Sequence, residues 1–359
     1  MADEKHIQYF LGANSPSGFY SLYDHLLPPE RANRFYILKG GPGCGKSTLM
    51  RQVARRAEEA GETVEYTLCS GDPDSLDAIL LPRLGVAIVD GTAPHVVEPK
   101  YPGAVEEYVN LGRAYQREGL QEVKGELMSC MTGYKACYQR AYRCLGAAAA
   151  IQEDLRATLT TPALEERLAK RARGILSREL KARPALPGQV KQRFLGAVTH
   201  KGVMTLYDTA LIQCPKVYEL HDRCGLAHGL LTHLLSGAVA KGYDVVACPD
   251  PMAPQRLAHL LIPQAGLAFL SVTPAQSPSE NPWRRVRIET GVGGDLMRRS
   301  RPRIRFAQKV GEALMEEAVA SLAQAKAMHD DLEAIYHPYV DFSLVDRTAQ
   351  ELAQTILEK

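Results

Sequence analysis

The 359-residue sequence lacks any apolar run close to the roughly 20 residues that a bilayer-spanning helix needs. It also lacks a strong charge of either sign, because the net charge is only +2, so no overall field favours nucleic acid or an anionic membrane as the main partner. Its eight cysteines form no CxxC pair, which argues against a structural zinc site. Residues 1–6 lack the basic and apolar regions of a secretory signal. These absences predict a cytoplasmic chain without a membrane span, long enough for two domains.

One half of the sequence repeats the other. The run Phe10-Leu11-Gly12-Ala13 recurs 184 positions later as Phe194-Leu195-Gly196-Ala197. Further along, the matches continue at an offset of 181, for example Gly61 with Gly242. They fall on apolar positions and on Gly and Pro, which set backbone shape. The pattern predicts two tandem copies of one domain.

A glycine-rich segment in the first copy has the spacing of a phosphate loop, Gly40-x-x-x-x-Gly45-Lys46-Ser47. It follows an apolar strand pattern and precedes a helical one, which is the context that this motif requires. Glycines let backbone N–H groups turn towards a polyphosphate, and the helix that follows adds its positive end. Lys46 is predicted to neutralise phosphate, and the Ser47 hydroxyl to ligate Mg²⁺. The predicted nucleotide-binding residues are Gly41, Pro42, Gly43, Cys44, Gly45, Lys46, Ser47 and Thr48.

A second signal is the apolar strand Val86-Ala87-Ile88-Val89, which ends in Asp90. In folds that bind nucleotides in this way, such a carboxylate lies beside the phosphate loop and helps to hold Mg²⁺. Asp90 and Ser47 are therefore the predicted metal ligands, and Lys46 and Asp90 the predicted catalytic pair. Alternatively, Asp90 is an ordinary surface residue at the end of a strand.

The base that would activate water is less defined by the sequence. Asp72 and Asp74 follow the predicted strand at residues 63–69, and His95 comes shortly after Asp90. All three would lie beyond the carboxyl ends of strands, where ligands bind in such sheets. The alternatives are that the two aspartates cap a following helix and that His95 packs in a turn.

Strands alternating with helices predict an α/β fold with a parallel sheet covered on both faces. The predicted strands of the first copy cover residues 8–11, 35–38, 63–69 and 86–89, and the predicted helices cover 18–27, 47–60 and 76–80. Together with the loop, the pattern predicts two tandem P-loop NTPase-like domains with helical extensions. The predicted division is an active domain at 1–115, a helical extension and bridge at 116–187, a degenerate domain at 188–300 and a C-terminal helical extension at 301–359.

The second copy keeps the scaffold residues but not the phosphate loop. Alignment places Asp222, Ala227, His228 and Gly229 opposite Gly40, Gly45, Lys46 and Ser47, and Ser271 opposite Asp90. Because each of these positions has changed, the sequence predicts a folded second domain without a triphosphate site of this type.

The second copy also carries a cluster of arginines. They are Arg284, Arg285, Arg287, Arg298, Arg299, Arg301, Arg303 and Arg305. The cluster is interpreted as a solvated basic face, as a source of an arginine that reaches the triphosphate of the first copy, or as a surface for nucleic acid.

Several segments resemble a family of bacterial tandem P-loop ATPases, within the superfamily of P-loop nucleoside triphosphate hydrolases. The segments are Gly12-Ala13-Asn14-Ser15-Pro16-Ser17-Gly18-Phe19-Tyr20, the phosphate loop, and Asp90-Gly91-Thr92-Ala93-Pro94-His95. The resemblance covers nearly the whole chain, and it implies ATP as the nucleotide and two P-loop domains. The family pattern has an intact second loop, from which this chain departs.

Three functions are compatible with these residues. The leading hypothesis is a Mg-dependent ATPase or ATP-driven switch with one nucleotide site, in which the second copy is a regulatory or dimerising partner. The alternatives are a small-molecule or nucleotide kinase that uses the same loop, and a scaffold that senses ATP with little hydrolysis. A homodimer or another protein partner is possible under each. A GTPase is disfavoured because the sequence has no Asn-Lys-x-Asp segment for guanine.

Overall fold

The computed structural model describes residues 6–183, 186–272, 278 and 281–358. Residues 1–5, on which most of the signal-peptide argument rests, lie outside the described part. No helix in that described part is both long and apolar enough to cross a lipid bilayer.

The first half of the chain (residues 1–187) builds a six-stranded mixed sheet in the order β1-β5-β6-β7-β4-β8. Its elements are β1 Ile7–Phe10, β2 Gly12–Ser15, β3 Gly18–Ser21, β4 Arg34–Lys39, α1 Lys46–Glu59, β5 Glu65–Leu68, β6 Leu76–Leu81, β7 Val86–Asp90, β8 Glu106–Asn110, α2 Arg117–Glu122, α3 Lys124–Leu159 and α4 Pro162–Glu179. Strands β2 and β3 form a separate hairpin.

The second half (residues 188–359) builds a second six-stranded mixed sheet, β16-β12-β15-β14-β13-β9. Its elements are β9 Val190–Gln192, β10 Gly196–Thr199, β11 Gly202–Thr205, α5 Tyr207–Gln213, β12 Lys216–His221, α6 His228–Ala240, β13 Val245–Asp250, β14 Ala253–Ile262, β15 Leu267–Val272, β16 Arg284–Arg287, α7 Gly294–Tyr336 and α8 Phe342–Leu357. Read from β9 to β16, the strand order matches that of the first sheet. The duplication seen in the sequence therefore extends to the topology.

Two helices predicted for the first half are absent, and both predictions were wrong. Residues 76–80 belong to β6, which is buried along its whole length and pairs antiparallel with both β5 and β7. A short apolar run bounded by turns fits a buried strand as well as a helix, so periodicity could not separate the two. Residues 18–27 instead form β3 and a short 3₁₀ turn at Tyr23–His25. Because β6 and its counterpart β14 run antiparallel to their neighbours, each sheet is mixed rather than wholly parallel.

The two halves exchange their last helices. The apolar face of α8, which includes Val345, Ala349 and Ile356, belongs to the same buried cluster as α1 and the first sheet. Likewise α4, through Leu164 and Leu168, belongs to the cluster of α6 and the second sheet. Helix α8 thus covers α1, and α4 covers α6, so neither sheet is fully packed by its own half.

Equivalent residues of the two halves also meet each other. Phe10 and Phe194, which correspond in the repeat, exchange backbone hydrogen bonds in both directions, each 2.9 Å long. The long helices α3 and α7 pack side by side, where Arg140 forms an ion pair with Glu317. Contacts between equivalent surfaces are the signature of a two-fold interface, here formed within one chain.

Candidate functional site

The glycine-rich loop (residues 40–47) joins β4 to α1 at the carboxyl edge of the first sheet. Strand β4 lies between β7 and β8 and runs parallel to both, so the loop and the end of β7 share one edge. Gly43 and Gly45 have φ values of +67° and +82°, which side chains with a Cβ rarely adopt. Helix α1 follows because Leu49, Met50 and Val53 place an apolar face in the core.

Lys46 is folded back onto this loop. Its Nζ donates to the carbonyl oxygens of Gly40 and Gly41, at 2.9 and 2.8 Å, and lies 3.5 Å from Oδ2 of Asp90. Both charged side chains are mostly buried. The structure therefore brings together the loop, the lysine and the carboxylate that the sequence proposed as partners.

Asp90 is held at the end of β7 by its own turn. Its Oδ1 accepts hydrogen bonds from the backbone N–H of Thr92, at 2.8 Å, and from the Thr92 hydroxyl. This leaves Oδ2 directed towards Lys46. Ser47 lies in the first turn of α1, and its hydroxyl oxygen accepts the backbone N–H of Leu76 at 3.0 Å. Two oxygen groups, one of them charged, are thus available beside the loop, and oxygen ligands are what Mg²⁺ prefers.

The proposed bases lie in different surroundings. Asp72 does not cap a helix, because the segment after it is strand β6, and it accepts a hydrogen bond from the Ser75 hydroxyl at 2.8 Å. It also lies 3.6 Å from Nζ of Lys326, a residue of α7 in the second half. Asp74 is exposed and binds Lys201 at 2.5 Å.

His95 is buried and belongs to a polar cluster with Cys69 and Asp77. Its Nε2 lies 3.4 Å from Oδ1 of Asp77, and the Tyr23 hydroxyl donates to Oδ2 of that carboxylate at 2.7 Å. Burial raises the pKa of Asp77, against the opposing effects of His95 and the Tyr23 hydrogen bond. Nδ1 of His95 is buried and has no hydrogen-bond partner within the described residues.

The ligand atoms of Cys69, Asp77 and His95 lie within 4.8 Å of one another, and the three are donors of the kind that zinc binds. However, Tyr23 and His95 already account for both oxygens of the Asp77 carboxylate. The arrangement therefore explains how His95 is oriented without a metal ion. Sequence reasoning missed Asp77 because it lies in the apolar run that was assigned to a helix.

The second half reaches the glycine-rich loop through the last turns of α7. Oε1 of Glu333 accepts the backbone N–H of Gly43 at 3.1 Å. Two members of the arginine cluster proposed for such a contact have partners elsewhere, since Arg285 lies 3.3 Å from Glu219 and Arg303 pairs with Asp154 of α3. No local sequence signal distinguishes Glu333 from the other acidic residues of α7.

The corresponding loop of the second half holds a carboxylate of its own. The oxygens of Asp222 accept the backbone N–H groups of Cys224, Leu226 and Ala227, at 3.3, 2.9 and 2.6 Å. Nδ1 of His228 accepts the N–H of Leu257, as Ser47 does that of Leu76 in the first half. The donors that a phosphate would need are therefore occupied from within the loop.

Comparison with known proteins adds one partial match. The family model of the nephrocystin 3 N-terminal region matches residues 21–83. This stretch contains the glycine-rich loop, α1, β5 and β6, but it is less than a fifth of the chain. No curated protein matches the chain, and no solved structure does.

Proposed function

We propose that the chain binds one Mg-ATP at the glycine-rich loop and hydrolyses it, and that the second half responds to the nucleotide. The observation that carries the proposal is the junction of Lys46 and Asp90, 3.5 Å apart at the carboxyl ends of two parallel strands. Such a lysine would move from the loop carbonyls to the phosphates, because a charged oxygen is a stronger hydrogen-bond acceptor.

The roles of the remaining groups follow from their positions. Backbone N–H groups of residues 41–48 would hold the phosphates, while Ser47 and Asp90 would hold Mg²⁺, directly or through water. The metal would supply charge neutralisation at the transferred phosphoryl group. The second loop is proposed to take no triphosphate, because Asp222 already fills its N–H groups and adds negative charge.

Nucleotide binding tests the proposal directly. Wild-type protein should bind one Mg-ATP per chain and release phosphate, and Lys46→Ala should bind Mg-ATP about 10- to 100-fold more weakly, since hydrogen bonds to charged groups are worth about 1.5–3 kcal/mol. Titration calorimetry gives both affinity and stoichiometry. Lys39→Ala is the matched control. Lys39 is the last residue of β4, directly before the loop, but its side chain donates to the carbonyl oxygens of Gly91 and Val97. Two nucleotides per chain, or equal binding by Lys46→Ala, would refute the proposal.

Of the proposed bases, Asp72 is better placed to orient water than His95. Asp72 is a partly exposed carboxylate in the segment that leads to Leu76, the partner of Ser47, whereas Nε2 of His95 faces Asp77. We expect Asp72→Asn to lower phosphate release at least tenfold with Mg-ATP affinity nearly unchanged. Single-turnover assays of Asp72→Asn, Asp74→Asn and His95→Gln measure this. If His95→Gln lost phosphate release while Asp72→Asn kept it, the base would be His95 and not Asp72.

A kinase that uses the same loop remains the second candidate, as does a scaffold that holds ATP. Both predict binding through Lys46 without phosphate release in the absence of an acceptor. The same assay separates them from the ATPase, and an acceptor screen then separates them from each other.

A further inference from the structure

The last turns of α7 lie directly against the glycine-rich loop. Besides the hydrogen bond from Gly43 to Glu333, a Cβ on Gly43 would come within 3.3 Å of the Glu333 backbone. Further along the chain, Cγ1 of Val345 in α8 would lie 3.2 Å from a Cβ on Gly45. The positive-φ glycines of the loop therefore face the second half at van der Waals distance.

The Glu333 carboxylate is supported in its charged form. His329 lies 3.5 Å from Oε1 of Glu333, one turn earlier on the same helix. The hydrogen bond to His329 lowers the pKa of Glu333, and the Gly43 hydrogen bond and Lys326 add to this against the cost of burial. An anion is thus held at a backbone N–H of a loop whose other N–H groups also suit an anion.

The equivalent contact at the loop of the second half, made by Arg156 of α3, provides an internal comparison. The repeat that aligns Asp154 with Asp331 and Leu155 with Leu332 also aligns Arg156 with Glu333. Arg156 ends α3 in the way that Glu333 ends α7. Its Cδ would lie 3.3 Å from a Cβ on Gly225, the counterpart of Gly43.

The contact of Glu333 with the first loop and the contact of Arg156 with the second loop have opposite arrangements of charge. The loop that contains Lys46 is met by the acidic Glu333, and the loop that contains Asp222 is met by the basic Arg156. Each long helix therefore presents to the loop of the other half a side chain of opposite charge. In the second half the anion belongs to the loop itself, whereas in the first half it comes from helix α7 of the other half.

We propose that Glu333 is an anionic latch that occupies a phosphate-oxygen position of the glycine-rich loop until a nucleotide displaces it. The inference rests on the proposed function and adds its regulation. A triphosphate needs the Gly43 N–H and brings negative charge beside Glu333, so the carboxylate and the nucleotide exclude each other. Binding would then release the end of α7 together with α8, which connects the nucleotide site to the second half.

Affinity measurements test the latch. Glu333→Ala and Glu333→Gln should bind Mg-ATP about three- to tenfold more tightly than the wild type. The expected effect is smaller than that of a fully buried charged hydrogen bond because the Glu333 side chain is 43% exposed, so solvent screens its charge. Glu312→Ala, an exposed acidic residue on the same helix, is the matched control and should leave the affinity unchanged. Unchanged or weaker binding by both Glu333 variants, with Lys46→Ala still defective, would overturn the latch and leave the proposed function standing.

Hydrogen exchange provides a readout of the movement itself. In the wild type, Mg-ATP should speed amide exchange in residues 333–345, and in Lys46→Ala it should not. Slower exchange in this segment on binding would mean that α7 closes over the nucleotide, which contradicts the latch. If neither the wild type nor Glu333→Ala binds Mg-ATP, both the latch and the proposed function fail.

Discussion

Replacing Arg193 with Met is expected to destabilise the contact between the two halves by about 3–5 kcal/mol, the range seen when one partner of a buried ion pair is removed. Arg193 is fully buried in the second half, and its Nε donates to Oε1 of Glu65 in the first half at 2.6 Å. The guanidinium also donates to the carbonyl oxygens of His25, Leu26 and Gln192 at 2.6–2.9 Å. One side chain thus serves four acceptors at the interface.

The large effect follows from what the substitution leaves behind. Met fills much of the volume but donates no hydrogen bond. The carbonyl oxygens of His25 and Leu26 therefore lose this donor in a buried region, and Glu65 loses one of its two basic partners. Lys191, at 2.5 Å from Oε2, would remain as a partner of Glu65. Lys191→Met is therefore the matched control, and it should cost much less because Lys191 is more than one-third exposed.

Thermal unfolding of the whole chain measures the difference. We expect the midpoint of Arg193→Met to fall by roughly 5–10 °C and that of Lys191→Met by much less. Equal midpoints for Arg193→Met and the wild type would show that the interface does not depend on this ion pair.

The same ion pair predicts a pH dependence of known sign. Burial opposes ionisation of Glu65, but Arg193 and Lys191 outweigh it, and the net effect lowers the pKa of Glu65. A lowered pKa stabilises the fold above the unfolded value of about 4.3, and this contribution is lost as the pH falls through the folded value. Without Arg193, burial favours the protonated form of Glu65. The loss of unfolding free energy caused by Arg193→Met should therefore be largest at neutral pH and should shrink towards pH 4.

Much of the first half could be read from the sequence because its signals are local. The apolar positions Leu49, Met50, Val53 and Ala57 specify one face of α1, and the run before Asp90 specifies β7. The loop motif between β4 and α1 then placed Lys46 and Asp90 together, since parallel neighbouring strands end at one edge. The division into four segments and the roles of these residues stay predictions.

The parts that could not be read depend on distant packing. Whether residues 76–81 form a strand is decided by the two strands that enclose them, and Asp77 becomes the partner of His95 only once that strand exists. Similarly, the apolar face of α8 is visible in the sequence, but periodicity does not say which half it covers. The contact of Glu333 with Gly43 joins residues 290 positions apart.

Replacing Asp90 with Asn is expected to lower Mg-dependent phosphate release about 1,000-fold while changing Mg-ATP affinity by less than tenfold, if the proposed function holds. Asn keeps the shape of the side chain, so its Oδ1 can still accept the Thr92 hydrogen bonds. The atom that replaces Oδ2 becomes an N–H₂ group, which faces Lys46 and cannot bind a metal ion. The substitution therefore removes a proposed metal ligand without removing the turn that positions it.

Binding should be nearly preserved because Asp90 contributes negative charge beside the triphosphate site. Its loss removes repulsion of the phosphates and frees Lys46 from a competing partner, which offsets weaker metal binding. Single-turnover phosphate release across a range of Mg²⁺ concentrations separates these effects. Asp74→Asn, which alters an exposed carboxylate paired with Lys201, is the control and should stay within twofold of the wild type. If Asp90→Asn released phosphate at the wild-type rate, Asp90 would be a structural partner of Lys46 and Thr92, and the metal would have to be held by other oxygens.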